Sequence, residues 1–280
     1  MTGKTVVITG ATSGIGEVAA LALAGMGATI VFTARDRTRG EATMERLRAK
    51  SPGIDHRVHY ADLSRLSEMK RVAGEIAAEP RIDLLINNAG ALFSRREETE
   101  DGLERTFATN HVSYFVLTHL LRERLVASAP ARVINTSSHA HKSGHIDFSD
   151  LQMKNGYSGF RAYGRSKLCN VLFTRELARK LAGAGVTTYS LHPGFVNTRF
   201  GEQGNSGFGF FLFTAAKRLA LTPEKGADTL IYLATADLAT AANGAYFYKR
   251  KVTTPSPEAQ DDAAALRLWQ ETAKLAGLED

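Results

Sequence analysis

The chain has 280 residues, of which 44% are hydrophobic and 23% charged, and its net charge is +6 at pH 7. That length admits one large α/β domain or two small ones, and the balance is ordinary for a soluble globular enzyme, not for a disordered or fibrous chain. The single cysteine, Cys169, excludes an internal disulfide and suits a reducing compartment, and no apolar run approaches the roughly 20 residues of a bilayer span.

In chain order, Val6-Val7-Ile8 predicts a short buried strand ended by glycine. The five residues before it leave no room for a signal peptide or membrane anchor, so a cytoplasmic location is expected. A helix from about 14 to 26 follows, then a buried strand over 28–33 and a helix over 38–50. Further strands are expected at 56–60, 84–86, 133–135 and 187–191, with helices near 66–79, 101–127 and 160–183. Near-continuous apolar strands alternating with helices predict a parallel sheet covered on both faces, doubly wound by right-handed crossovers. No repeat, low-complexity tract or linker divides the chain, so one domain over 1–280 is expected. Its cofactor-binding and catalytic core would be 4–200, a substrate lid 200–220, and the last strand and C-terminal helix 221–280.

The lid expectation rests on the compositional break from Gly201 to Phe213, where four glycines accompany Phe208, Phe210, Phe211, Leu212 and Phe213. Such an apolar load must cover something. Three readings stand: a lid that excludes water from a lipophilic substrate, rings that join the core, or, with Lys217 and Arg218, a membrane-surface contact. Membrane association is the least expected of them. The basic residues Arg35/Arg37/Arg39, Arg46/Arg48/Lys50, Arg95/Arg96 and Lys249/Arg250/Lys251 are dispersed and lack a nucleic-acid signature, so no nucleic-acid partner is expected. A homo-oligomer stays open.

The first strand runs into Thr9-Gly10-Ala11-Thr12-Ser13-Gly14-Ile15-Gly16 at the start of a helix. Absent side chains at Gly10, Gly14 and Gly16 let the backbone turn tightly and approach a pyrophosphate, whose charge meets the helix N-terminus. A bare glycine turn is weak evidence; the strand–turn–helix context strengthens it. The end of the second strand then selects the cofactor. In Thr33-Ala34-Arg35-Asp36-Arg37, Ala34 aligns with the selecting position, which leaves Arg35 beside the ribose and Arg39 one helical step on. Arginine there accommodates a 2′-phosphate, so NADP (NADPH) is the expected cofactor; Asp36 keeps NAD as the alternative.

Tyr163 and Lys167 lie four apart in Tyr-Gly-Arg-Ser-Lys, so on a helix both emerge from one face. An ammonium beside a phenol favours the phenolate, which would lower the tyrosine pKa and make it a usable acid/base. Alone the pair is weak, since an exposed surface pair has the same spacing. His139, His141 and His145 have a spacing that a metal could use, but no cysteine or carboxylate pattern completes a site, and none is expected. Cys169 reads as a buried structural thiol and Trp269 as a packing anchor.

Together Thr9-Gly10-x3-Gly14-Ile15-Gly16, Asp62-Leu63, Asn87-Asn88-Ala89-Gly90, Asn110, Ser138, Tyr163-x3-Lys167 and Pro193-Gly194 resemble the short-chain dehydrogenase/reductase family over roughly residues 4–200. Val133-Ile-Asn-Thr-Ser-Ser-His-Ala-His141, the stretch from Ala178 to Tyr189 and Leu266-Arg-Leu-Trp269 resemble its retinol dehydrogenase-like branch. The resemblance implies a Rossmann-type oxidoreductase that transfers hydride between NADP(H) and a ketone, aldehyde or alcohol. The alternatives are an NAD-dependent alcohol dehydrogenase and a non-catalytic nucleotide sensor on the same fold. It further implies that Tyr163 exchanges the substrate proton, Lys167 assists it and binds the nicotinamide ribose, and Ser138 holds the developing alkoxide. Ser137 competes with Ser138, and the family spacing back from Tyr163 favours Ser138. Asn110 would hold a relay water, with a side chain satisfied by backbone as the alternative. Asp62 would sit beside the adenine, with helix capping as the alternative. Thr12, Ser13 and Leu63 would complete the nucleotide pocket, Asn88, Ala89 and Gly90 would pass close to the adenine ribose, and Pro193, Val196 and Thr198 would flank the nicotinamide.

Overall fold

The structure is a computed structural model that describes residues 1–196 and 220–279. Its centre is an eight-stranded sheet of order β3-β2-β1-β4-β5-β6-β7-β8. The strands are β1 (Thr5–Thr9), β2 (Thr29–Ala34), β3 (Arg57–Tyr60), β4 (Leu84–Asn87), β5 (Ala131–Thr136), β6 (Val186–Leu191), β7 (Tyr246–Tyr248) and β8 (Lys251–Val252). All neighbours are parallel except β7 and β8. Between β1 and β4 the strand order reverses, and crevices open at such switch points.

Alternation along each strand assigns its apolar residues to two cores. Val7, Val31, Leu85 and Val133 face one layer; Val6, Ile8, Ile30, Phe32, Ile86 and Ile134 face the other, and all are fully buried. Burial on both faces is why these strands read as unbroken apolar runs. Helices α1 (Gly14–Gly25) and α2 (Arg37–Lys50) cover the second face with α8 (Pro223–Thr235). The first face is covered by α3 (Leu66–Ala77), the stretch from 105 to 127, α7 (Gly159–Lys180) and α9 (Asp262–Ala276). Trp269 of α9 lies 2% exposed, edge-on to Phe115 at 4.8 Å and stacked on Phe173 at 5.8 Å, so it locks the C-terminal helix to α7. Burying aromatic side chains of this size contributes about 1.5–3 kcal/mol each.

The helix expected at 101–127 is shorter and broken. Its first turn, α4 (Arg105–Phe107), starts only after Glu104, whose carboxylate accepts from the Thr106 and Phe107 N–H groups. Residues 99–102 form a turn instead, with Gly102 at φ 74°. A π-helical turn over Ala108–Val112 follows, then α5 (Ser113–Leu120) and α6 (Arg122–Ala127). Asn110 sits at the middle of that wide turn. The rest of the helices and strands given above lie within a few residues of their expected spans. The lid expected at 200–220 falls on residues that lie, apart from Ala220, outside the described ones. Its two approaches meet: Leu221 N–H donates to Phe195 O at 2.7 Å, and Val196 bridges Leu221.

Candidate active site

The glycine turn, Asp62-Leu63, Asn88-Ala89-Gly90, Ser138 and Pro193-Gly194 all follow the C-terminal ends of parallel strands, and Asn110, Tyr163 and Lys167 lie on helical turns. The glycine turn after β1 and Asn88-Ala89-Gly90 after β4 therefore flank the switch-point crevice. Thr9 Oγ1 accepts from the Asn88 and Ala89 N–H groups at 2.9 and 3.0 Å, and Asn88 Nδ2 donates to Thr9 O and Gly10 O. These bonds hold the two loops face to face. At Gly10, with φ 70°, a Cβ would stand 2.8 Å from the Ala89 Cα; at Gly16 it would stand 2.3 Å from Gly10 O. Only glycine fits either place. Ser13 occupies the N-cap of α1 without a side-chain cap bond, and Thr12 and Ser13 are half-buried on the turn. An uncapped helix N-terminus behind a glycine turn fits the pyrophosphate of a dinucleotide. Ile15 leans towards Gly226 of α8, where Val196 also packs, so the turn and the segment after β6 share one support.

At the end of β2, Ala34 is buried whereas Arg35 and Arg39 are exposed. The Asp36 carboxylate caps α2 by accepting from the Arg39 N–H at 2.8 Å. Asp62, after β3, does not cap α3, whose N-cap is Arg65; its Oδ1 accepts from the Ser64 N–H and hydroxyl, and Leu63 is buried beside it.

Helix α7 delivers Tyr163 and Lys167 on one face, as their spacing requires. The Ser138 hydroxyl hydrogen-bonds the Tyr163 phenol. Ser137, whose hydroxyl donates to Lys167 O at 2.7 Å, is 1% exposed and spent on the helix. Alternation along the chain thus separates the two serines, and Ser138 is the one that meets the tyrosine. Lys167 Nζ donates to Thr136 O at 3.0 Å and lies 5.7 Å from the Tyr163 ring centroid and 5.5 Å from that of Tyr114. Gly90 passes between Asn110 and Lys167: a Cβ there would stand 3.4 Å from both Asn110 Oδ1 and Lys167 Nζ.

The Asn110 side chain is spent on protein partners. Its Oδ1 accepts from Ala91 N–H at 2.7 Å, and its Nδ2 donates to Ala91 O and Ser166 Oγ. Its backbone carbonyl, turned aside by the π-helical geometry, accepts from Asn170 Nδ2 at 2.9 Å, and the same Nδ2 reaches Thr136 O at 3.2 Å. Asn170 was missed from the sequence. Its signal was an asparagine, a poor helix former, in mid-helix three residues past Lys167. Thr9 as the brace between the two nucleotide loops was missed as well.

Burial, not the lysine charge, dominates the titration of the pair. It pushes the Tyr163 phenol up to about 12, opposed by the Ser138 hydrogen bond, and pushes Lys167 down to about 7. The expected lowering of the tyrosine pKa is therefore corrected: desolvation disfavours both charged forms. Tyr163 keeps part of its surface open, so solvent moderates its rise. Cys169, fully buried on the same helix, is pushed up to about 12, in keeping with an inert thiol.

Of the remaining residues, Pro193 and Val196 follow β6 at this edge, and Thr198 lies outside the described residues. His141 is occupied by the backbone: its Nδ1 lies 2.7 Å from Ser138 O, and its Nε2 accepts from Ser256 N–H. His139 is exposed and edge-on to His192, while His145 is 3.7 Å from Glu258. His192 stacks on Tyr248 at 3.9 Å, and burial holds it down to about 4; burial does the same to His111. Because these folded-state values lie below the ordinary 6.5, their stabilisation is complete above pH 6.5 and lost as pH falls through 4. Each should add about 1.4 kcal/mol per pH unit to the loss of unfolding free energy within that window. Urea titrations from pH 7 to 4 measure the slope, and His192→Phe, which keeps a stacked ring, should remove one histidine's share.

A parallel sheet with an uncapped glycine turn at its switch point, and Ser138, Tyr163 and Lys167 gathered one strand away, defines a dinucleotide-dependent oxidoreductase. The model of the short chain dehydrogenase family matches residues 4–207, and the chain belongs to that family, the short-chain dehydrogenases/reductases, in its retinol dehydrogenase-like branch. It is 44% identical to retinol dehydrogenase 13 of Homo sapiens over 285 residues, covering 99% of this chain and 86% of that one. A crystal structure of a Mycobacterium paratuberculosis protein superposes with a TM-score of 0.80 at 34% identity, covering 99% of this chain and 95% of that one. The Pseudomonas aeruginosa RhlG/NADP active-site complex superposes at 0.69 with 28% identity, covering 88% of this chain and 94% of that one. Among the described residues no helix is long and apolar enough to cross a membrane, and no group of three or more His, Cys, Asp or Glu is placed to hold a metal.

Proposed function

We propose that this protein is a single-domain, NADP(H)-dependent oxidoreductase that interconverts a lipophilic aldehyde or ketone with its alcohol. The observation that carries the reading is the Ser138–Tyr163 hydrogen bond beside Lys167. A nucleotide sensor has no need of such a constellation. The nicotinamide, when bound, supplies or accepts the hydride. Tyr163 gives a proton to the carbonyl oxygen or takes one from the alcohol, and Ser138 holds that oxygen as charge develops on it. Lys167 binds the nicotinamide ribose and adds positive charge beside the phenol. Asn110 and Asn170 set the position of Lys167 through Gly90 and Thr136 O.

NADP over NAD is supported by two exposed arginines, Arg35 and Arg39, beyond β2 and by the capping role of Asp36. An acid spent on a helix N-terminus is less available to a ribose hydroxyl. The RhlG structure was obtained with NADP, in line with that choice. Gly10, Gly14 and Gly16 with Thr12, Ser13 and Ile15 would hold the pyrophosphate, and Asp62, Leu63, Asn88, Ala89 and Gly90 the adenosine end. Pro193 and Val196 would flank the nicotinamide, as would Thr198 beyond the described residues.

A lipophilic substrate is supported by the aromatic composition of 208–213 and by the relatives named for retinol, an apolar alcohol. The test follows absorbance of the nicotinamide with both cofactors against a series of straight-chain aldehydes. Each added CH₂ that is buried contributes up to about 0.8 kcal/mol, so KM should fall up to roughly fourfold per carbon until the pocket fills. A flat series, or a preference for sugars, sinks the lipophilic reading.

A further inference from the structure

We propose that His111 is a positioning residue for Lys167. Its imidazole, with the proton on Nδ1, fixes the Asn170 amide that shares Thr136 O with Lys167, and so ties the lysine to the C-terminal helix. The inference rests on the reading that Lys167 serves the cofactor and the phenol. His111 directly follows Asn110 in the π-helical turn and is 1% exposed. Its Nδ1 lies 3.3 Å from Asn170 Oδ1, and its Nε2 lies 3.1 Å from Thr272 Oγ1 of α9. The Asn170 amide in turn bridges the two places that set the lysine. Its Nδ2 donates to Asn110 O in the π-helical turn and to Thr136 O at the end of β5, the oxygen that also receives Lys167 Nζ. Asn170 and Lys167 are three residues apart on α7, so they are neighbours on one side of it.

These bonds leave one arrangement of protons without a clash. Asn170 Nδ2 stands between two carbonyl oxygens, which fixes the amide and turns its Oδ1, an acceptor, onto His111 Nδ1. A bare Nδ1 there would set lone pair against lone pair, so Nδ1 carries the proton. A second proton on the ring is opposed by burial and by the Lys167 charge, and the imidazole is held down to about 4. Nε2 is then bare and accepts from the Thr272 hydroxyl. That hydroxyl also stands 2.7 Å from Leu268 O, but it can rotate, and the carbonyl keeps its helical N–H partner. Packing alone does not ask for a histidine: Phe107 lies 5.2 Å and Phe173 6.1 Å from the ring, a setting that a phenylalanine would fill. What the histidine adds is a donor towards Asn170 and an acceptor towards α9 on one rigid ring.

The test uses the full chain with saturating NADPH. Long-range proton–nitrogen NMR correlation spectra, with the His111 ring assigned by its absence in His111→Phe, should show Nδ1 protonated and Nε2 bare at neutral pH. His111→Phe keeps the packing and deletes both bonds. Its kcat on straight-chain aldehydes should fall by about 10–100-fold, the scale on which a misplaced catalytic group slows a reaction. NADPH affinity should fall less, because the pyrophosphate and adenosine keep their contacts. His111→Asn can offer an amide N–H in place of Nδ1–H but leaves space unfilled. It should therefore melt below His111→Phe and yet turn over faster, an inversion that a histidine needed only for packing does not produce. In an Asn170→Leu background, His111→Phe should reduce kcat little further, since the bond it deletes has already gone. The proposal is overturned by a proton on Nε2, by activity that follows melting temperature across the two variants, or by additive losses with Asn170→Leu. A wild-type protein without turnover on any carbonyl or alcohol removes the oxidoreductase reading and the positioning role with it, while the spectra still report where the proton sits.

Discussion

Tyr163→Phe should lower turnover by about 10²–10⁴-fold while NADPH still binds with its wild-type affinity. The substitution deletes one hydroxyl and little volume, and loss of a positioned acid/base costs that much. With its phenol held up to about 12, Tyr163 carries its proton at neutral pH. Carbonyl reduction should therefore run steadily through neutral pH, whereas alcohol oxidation, which needs the proton removed first, should climb with pH above 7. Lys167→Ala should damage both catalysis and cofactor binding, since one ammonium serves both. Stopped-flow turnover and fluorescence titration of NADPH separate the effects. If Tyr163→Phe keeps more than a tenth of the wild-type rate, the acid/base has been misassigned and the nucleotide-sensor reading gains ground.

Arg35→Ala should weaken NADPH at least tenfold and leave NADH nearly unchanged. Hydrogen bonds between an arginine and a phosphate are worth roughly 1.5–3 kcal/mol, which is a factor of about 10–150. Arg35 is exposed at the end of β2, so its replacement leaves the core untouched. Calorimetric titration of each cofactor gives the two ratios directly. Equal losses for both would reject the phosphate contact and leave stacking on the adenine, which both cofactors share. An increased affinity for NADH would point to Asp36 as the selecting acid.

The layered α/β architecture was legible from the chain because each central strand is buried on both faces. Val6 to Ile8 and Ile30 to Phe32 had no polar alternation to confuse with an exposed sheet. The boundary at 101–127 was not legible. Nothing in Asp101-Gly102-Leu103-Glu104 announces that Glu104 will turn its carboxylate onto the next two N–H groups and set the first turn there. The π-helical turn was only hinted at by an asparagine in an apolar helix, since the extra residue per turn is stabilised by tertiary partners such as Asn170 and Ala91.

By itself the sequence determined what local chemistry can determine. Glycines at 10 and 16 follow from the space their backbones must share with a neighbouring loop, and the four-residue step from Tyr163 to Lys167 follows from the helix period. Only the tertiary structure decided which serine faces the tyrosine, what Asn110 and Asp36 spend their polar atoms on, and which way the catalytic pair titrates. Those outcomes depend on what is packed around each group. A phenol and an ammonium four residues apart attract in water, but once both are buried the loss of solvent outweighs the attraction and their pKa values move oppositely, as at Tyr163 and Lys167.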